Sequence, residues 1–325
     1  MSKSLPAGIR DSNGHWRPAK FGKESPLFRW PPSLRKIARW LFGWGEFSFP
    51  RHASYAGLAV LTFFFLWPVS WTGDALVRSS LLTYLRNLVS LIAVYGFYHF
   101  TLYVKKVQGT DGKYHPKWQA THDKKFLFNN QVLDNMFFCI VSGVTIWSAW
   151  EILYFVLRAR GVAPTIQFET HTVWFIALFF IIPFWRDLHF YTIHRLIHWP
   201  PLMRTVHTVH HRNYNPGPWS GMSMHPVEHI LYLSVVAIFF IVPAHPIHIF
   251  YCLQITALAP AQGHTGFHGP LYGGKWPVGD YFHYLHHKYV GCNFGGGVIP
   301  LDKWFKTYYN GEGRFVPKRR SSRRK

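Results

Sequence analysis

The sequence predicts an all-α integral membrane protein with about four transmembrane helices, a re-entrant helical hairpin and a histidine-rich helical cap on the cytosolic side. Three observations lead to that prediction. The 325 residues are 49% hydrophobic and only 15% charged, whereas a soluble globular chain is about 25% charged. Twenty-nine Phe, 17 Tyr and 15 Trp supply far more apolar area than a disordered chain carries. Long uncharged runs recur near the ~20 residues needed to cross a ~30 Å hydrocarbon core.

The arm 1–52 comes first. It is polar and holds Pro6, Gly8, Pro18 and Pro26, so no secretory signal is expected there. Trp30, Trp40, Phe42 and Trp44, mixed with Arg35, Lys36 and Arg39, point to an interfacial amphipathic helix. The bundle 53–185 follows, with spans expected at 53–71, 81–104, 135–157 and 172–185. Arg86 is expected to snorkel near the start of the second span, and the fourth can continue through a kink at Pro183 into Arg186 and beyond. Lys and Arg crowd the arm before span one and the loop 105–125, and are sparse in the loops after spans one and three. That bias places both termini, and the region after span four, in the cytosol. The run 230–258 is uncharged but broken at Pro243-Ala244-His245-Pro246. Each half reaches only about 20 Å as a helix, so a hairpin that dips in and returns is expected. The catalytic region is bounded at 186–310, and a basic disordered tail is expected at 311–325.

Thirty-five Lys and Arg against 14 Asp and Glu give a formal charge of +21. On a soluble protein that balance would suggest nucleic acid. Here the basic residues lie beside apolar runs, where anionic headgroups are the simpler partner, and no nucleic-acid partner is expected. Cys139, Cys252 and Cys292 are odd in number and widely spaced, so they provide no disulfide framework.

Fifteen of the 21 histidines fall between His189 and His287. His194 and His198 form HxxxH, His207, His210 and His211 form HxxHH, His264 and His268 repeat HxxxH, and His283, His286 and His287 repeat HxxHH. On a helix, positions i, i+3 and i+4 share a face, close enough for their imidazoles to hold one metal or two adjacent ones. Trp199-Pro200-Pro201 ends one helix and starts the next. Ten imidazoles are too many for one ion, since a zinc site uses about three or four, and imidazole alone does not select the element. An all-nitrogen site at the face of an apolar bundle fits oxygen activation for oxidising an unactivated C–H bond in a lipid, with metal-assisted hydrolysis still open.

At Asp187-x-x-Phe190-Tyr191-x-x-His194-Arg195-x-x-His198, His207-x-x-His210-His211, His225-Pro226-x-Glu228 and His286-His287 with Asn293-Phe294-Gly295 following, the chain resembles the membrane fatty acid hydroxylase and sterol desaturase superfamily. The resemblance covers roughly 185–297. It implies two non-haem iron ions, O2 as co-substrate and a membrane lipid as substrate. It also implies an external electron donor, a cytochrome b5 or ferredoxin-like carrier with its reductase, because the chain shows neither a His-Pro-Gly-Gly nor a GxGxxG motif. It carries over His194, His198, His207, His210, His211, His264, His268, His283, His286 and His287 as ligands. Asp187, His189, His225 and Glu228 are expected just outside them, orienting ligand imidazoles.

Two further readings come from other classes. His225-Pro-Val-Glu228-His229 reads as HxxEH, the inverted zinc-peptidase motif, and would make a membrane zinc hydrolase. A histidine-rich metal carrier would want ionisable groups inside the spans, and spans one and four have none. His245 and His248, at the expected hairpin tip, are assigned to local backbone hydrogen bonds.

Overall fold

A computed structural model of the protein describes residues 7–19, 21, 25–67, 70–271, 276–313 and 315. Most of the expected tail, 314 and 316–325, lies outside the described residues. The chain is mostly helical. A short antiparallel hairpin, β1 (Gly8–Arg10) and β2 (Trp16–Pro18), precedes α1 (Leu34–Phe42). No α1 residue is buried, and Trp30, Leu34 and Trp44 around it are broadly exposed.

Next come α2 (Arg51–Phe65) and α3 (Ala75–His99), the latter prolonged by a π turn, Phe100–Val104. Asn130 then caps α4 (Gln131–Phe137), its side chain accepting from the Val132 and Leu133 amides. A π turn, Phe138–Val144, leads without a break into α5 (Thr145–Ala159). After a loop, α6 (Thr172–Ile197) runs through Pro183. Among the described residues three helical runs are long and apolar enough to cross a membrane: Ala75–Val104, Gln131–Ala159 and Thr172–Ile197. These make the chain a membrane protein.

Two expectations about the bundle change. The first expected span, 53–71, is helical only to Phe65, and 15 residues rise about 22 Å. Pro68 in the sequence disfavours helical geometry just before it, and Leu66 already leaves the helix with φ −127°. Arg86 does not snorkel. It is buried in α3 against Glu151 of α5, and its neighbour Asn87 bonds Ser148 at 3.2 Å. Twelve positions into the helix, the guanidinium is too far from the end for its stem to reach water, so an acid on the facing helix takes its charge.

Beyond α6 the chain makes α7 (Pro200–Leu202), a π turn Met203–His207, and α8 (Thr208–His211). The hairpin is α9 (Pro226–Leu233) with a 3-10 extension, Ser234–Phe240, and α10 (Pro246–Leu258). All 13 residues of α10 are buried, as suits a helix apolar all round. Tyr95 and Tyr232 donate to the Ala257 and Thr256 carbonyls, each at 2.8 Å, and Gln254 donates to Thr62 at 2.7 Å. The hairpin tip is pinned at the N-terminal end of α6. The Trp174 indole donates to the Pro243 carbonyl and the His248 imidazole to the Phe175 carbonyl, each at 2.9 Å. Nineteen residues of α6, about 28 Å, separate Phe175 from His194.

After α10 come α11 (Pro260–Gly263), a two-stranded hairpin of β3 (Gly269–Leu271) and β4 (Trp276–Val278), α12 (Tyr281–Tyr289) and α13 (Leu301–Trp304). Together with α7 and α8 they cover the C-terminal end of α6.

Candidate metal centre

Four short segments converge on that end. His194 and His198, one turn apart, project from the end of α6; His207, His210 and His211 come from the π turn and α8; His264 ends α11; His283, His286 and His287 lie on α12. They form two groups: His194, His198, His207, His211 and His286, and His210, His264, His283 and His287. Within each group one ring nitrogen of every member lies within 4.8 Å of the others. Each HxxHH box is divided between the groups. Successive helical side chains point about 100° apart, so His210 and His211 face different groups, as do His286 and His287.

His268 does not join them. Its Nδ1 faces the Tyr114 hydroxyl at 3.3 Å and its ring lies 5.0 Å from that of Trp16. The spacing His264-x-x-x-His268 is helical only on paper: α11 stops at Gly263, and Gly266 has φ +75°, which turns the chain away.

The hydrogen bonds behind the rings decide what the front can bind. His194 Nδ1 meets the Phe294 carbonyl at 2.7 Å, His264 Nδ1 the Pro260 carbonyl at 2.9 Å, His286 Nδ1 the Cys292 carbonyl at 2.6 Å and His210 Nδ1 the Ser223 carbonyl at 3.4 Å. A carbonyl only accepts, so each Nδ1 carries the proton and each Nε2 presents a bare lone pair. Those lone pairs face other ring nitrogens. His264 Nε2 stands 3.4 Å from His210 Nε2, 3.1 Å from His287 Nε2 and 2.9 Å from His283 Nε2, and His286 Nε2 stands 3.0 Å from His211 Nε2. Lone pair against lone pair, as between His264 and His210, is repulsive without a cation between. Nε2 of His207 is also buried without a partner. The donor set therefore fits metal ions, one to each group.

Burial keeps these rings neutral, the ligand form. It pushes His207 and His264 down to about 3 and His210 to about 4, and holds His211, His283, His286 and His287 well below the ordinary histidine value. Glu228 Oε1 lies 2.8 Å from His207 Nδ1. Geometry alone would make this an ion pair. Burial opposes charge on both partners and raises Glu228 to about 8, so the contact is a neutral hydrogen bond in the metal-free chain.

The other expected supporting residues act at different distances. Asp187 accepts from the Gly296 and Ile299 amides, each at 2.7 Å, and Asp302 from those of Phe294 and Gly295 at 2.8 and 2.7 Å. The two carboxylates shape the Asn293-Phe294-Gly295 loop that offers its carbonyl to His194. A Cβ at Gly296 would stand 2.5 Å from Asp187 Oδ1, so the loop requires glycine there. Asp302 escaped the sequence reading, its only signal being an acid soon after the glycine run. His189 bonds Ser234 at 3.0 Å, tying α6 to the hairpin. Five positions before His194, it points about 140° away from it. His225 caps α9 by accepting from the Val227 amide at 3.2 Å. The HxxEH residues do not assemble: His229 is bonded to Ser142 and to the Met222 carbonyl, and Glu228 serves His207.

A cavity of about 280 Å³ adjoins the centre, reaching His194, His207, His210, His264 and His283, with Phe190, Ile193, Met224 and Phe282 on its walls.

The profile of the family described as Fatty acid hydroxylase matches residues 179–307, which contain all ten histidines of the four boxes. Over that region the chain is similar to the fatty acid hydroxylase and sterol desaturase superfamily, which the relatives below also support. It is 26% identical to the Delta(7)-sterol 5(6)-desaturase of Saccharomyces cerevisiae over 271 residues, 80% of this chain and 71% of that one. It is 28% identical to the C-4 methylsterol oxidase of Schizosaccharomyces pombe over 162 residues, 46% of this chain and 53% of that one. With methylsterol monooxygenase 2-1 of Arabidopsis thaliana it shares 32% over 154 residues, 41% of this chain and 54% of the plant protein. The chain thus spans about half the length of the last two relatives. No solved structure matches it.

Proposed function

We propose that this protein is an oxygen-dependent oxidoreductase that hydroxylates or desaturates a membrane lipid at a pair of iron ions. Its ligands would be His194, His198, His207, His211 and His286 for one ion and His210, His264, His283 and His287 for the other. The observation that carries the reading is the convergence of Nε2 lone pairs, in two groups, beside an apolar cavity. The relatives named above, a sterol desaturase, a methylsterol oxidase and a methylsterol monooxygenase, support lipid oxidation as the reaction class.

The irons, when bound, supply oxygen activation and oxidation of a C–H bond. The chain supplies the rest. Nδ1–H donors to Phe294, Pro260, Cys292 and Ser223 fix the rings, so the metal positions are set before a substrate arrives. Phe190, Ile193, Met224 and Phe282 exclude water and seat the lipid. Electrons come from another protein, a cytochrome b5 or ferredoxin-like carrier with its reductase, docking on the cytosolic side of a multi-pass protein whose hairpin enters the membrane from that side.

The test is metal content per chain in protein purified from iron-supplemented cells. Two metals in the wild type, falling in His210→Ala and kept in His225→Ala, are expected; zinc substituting for iron counts equally. A single zinc, kept in His210→Ala and lost in His225→Ala, would overturn the reading in favour of a hydrolase.

A further inference from the structure

The cavity beside the histidines is also lined by two arginines that no acid among the described residues meets in an ion pair, Asp187 and Asp280 acting on them only from a distance. Arg51 opens α2, Arg186 lies on α6, and both line the cavity. The Arg51 guanidinium contacts only Nε2 of its neighbour His52, at 3.4 Å, and Arg186 only the Tyr232 hydroxyl, also at 3.4 Å. Both contacts are long and neutral. Nε of Arg186 is buried with no partner. Among the described residues neither arginine forms an ion pair. The three acids on the same cavity are already engaged, Asp187 with the Gly296 and Ile299 amides, Asp280 with the His283 amide at 3.1 Å and Glu228 with His207 at 2.8 Å.

Two guanidinium groups in a partly desolvated cavity are costly unless a counter-charge arrives. Their planar forks match carboxylate and phosphate oxygens in pairs. Between the arginines and the metal-facing histidines the wall carries Pro183, Phe190, Ile193 and Ile197, so an occupant with one anionic end and a hydrocarbon body suits that stretch of the cavity.

We propose that the lipid oxidised by this protein carries a carboxylate or phosphate group held by Arg51 and Arg186. This deepens the proposed function and rests on it. Arg186 precedes His194 by eight residues, about 12 Å along α6. Pro183, Arg186, Phe190, Ile193 and Ile197 follow the three-to-four spacing of one helix face, and all line the cavity. The hydrocarbon body lies along that stripe, so the anchored anion acts as a ruler and the carbon presented to the metals is remote from it. The relatives named above are sterol enzymes, and a sterol's hydroxyl would leave both guanidinium groups without a counter-charge.

The test uses the full chain in detergent with four probes: hexadecanoic acid, its methyl ester, hexadecyl phosphate and cholesterol. Binding is read by titration calorimetry and thermal shift, independently of turnover. The acid or the phosphate should bind about tenfold or more tighter than the ester and cholesterol, the size of one or more charge-assisted hydrogen bonds. Whichever anion binds tighter identifies the headgroup chemistry. The double variant Arg51→Gln with Arg186→Gln should lose that preference while binding the ester as before, and Arg186→Lys should keep part of it. Equal affinity for acid and ester, tighter binding of cholesterol, or an unchanged preference in the double variant would overturn the proposal; should the double variant misfold, the four-probe comparison on wild type decides. Metal content is measured in the same samples. Two metals without anion preference refute the anion alone, whereas absence of metal refutes the oxidase reading and leaves the binding result standing.

Discussion

Removing the carboxyl behind His207 tests whether the chain orients its imidazoles for metal. In Glu228→Ala the partner 2.8 Å from His207 Nδ1 disappears. The buried ring then has nothing to hold its proton on Nδ1, and part of the population moves it to Nε2, where it blocks coordination. Hydrogen bonds to a charged group contribute about 1.5–3 kcal/mol, and a cation on His207 would make this such a bond. At about 1.4 kcal/mol per tenfold, the expected loss of affinity is roughly 10- to 100-fold, the range typical of such supporting partners. Glu228→Gln keeps an acceptor oxygen and should lose much less. The assay is chelator titration of cobalt-substituted protein, following the absorption of the two sites. The weakened site should be the one built on His207, with the His264 site held near wild type. Wild-type retention of both metals in Glu228→Ala, or loss of the His264 site first, would refute the reasoning.

Other outcomes follow from the same geometry. His264→Ala should lose one metal and abolish lipid oxidation, whereas His268→Ala should keep both metals; measured metal content and turnover separate them. Metal-free protein should lose stability as pH falls. Burial depresses the folded-state values of His207, His210 and His264 to about 3 or 4, so the unfolded chain binds protons first, near pH 6.5. Stability is complete above that pH and declines down to about pH 4, which Tm measured from pH 7.5 to 5 will show; a flat profile would contradict buried neutral rings. Tags at residue 75 and at the C-terminus should report opposite sides of the membrane, and accessibility of both from one side would break the topology.

Much of the architecture is legible because periodicity and spacing are local. The apolar runs locate the three long helices, and the i, i+3 and i+4 histidine spacings locate the segments that converge. What was hidden depends on partners far away in the chain. Arg86 looked free to snorkel because Glu151 lies 65 positions later. The acceptors that orient His194 and His286 are backbone carbonyls of Phe294 and Cys292, which have no signature in side-chain identity. His268 was misplaced although its warning was visible: Gly266, in the middle of the box, permits the left-handed turn that ends helical spacing. The helix at the first expected span is shorter than its hydropathy, which continues past Phe65, whereas the backbone leaves helical geometry at Leu66.

The division of each HxxHH box between two histidine groups has a mechanical meaning. His210 and His211 are joined by one peptide bond, and so are His286 and His287, yet each neighbour serves a different group. A rotation of α8 or α12 that improves one site must therefore disturb the other. Ions held by the two groups would be geared together, because the peptide bonds between His210 and His211 and between His286 and His287 tie one group to the other. Filling one group would hold α8 and α12 in the orientation the other group is built on, while each group keeps its own ligands and its own affinity.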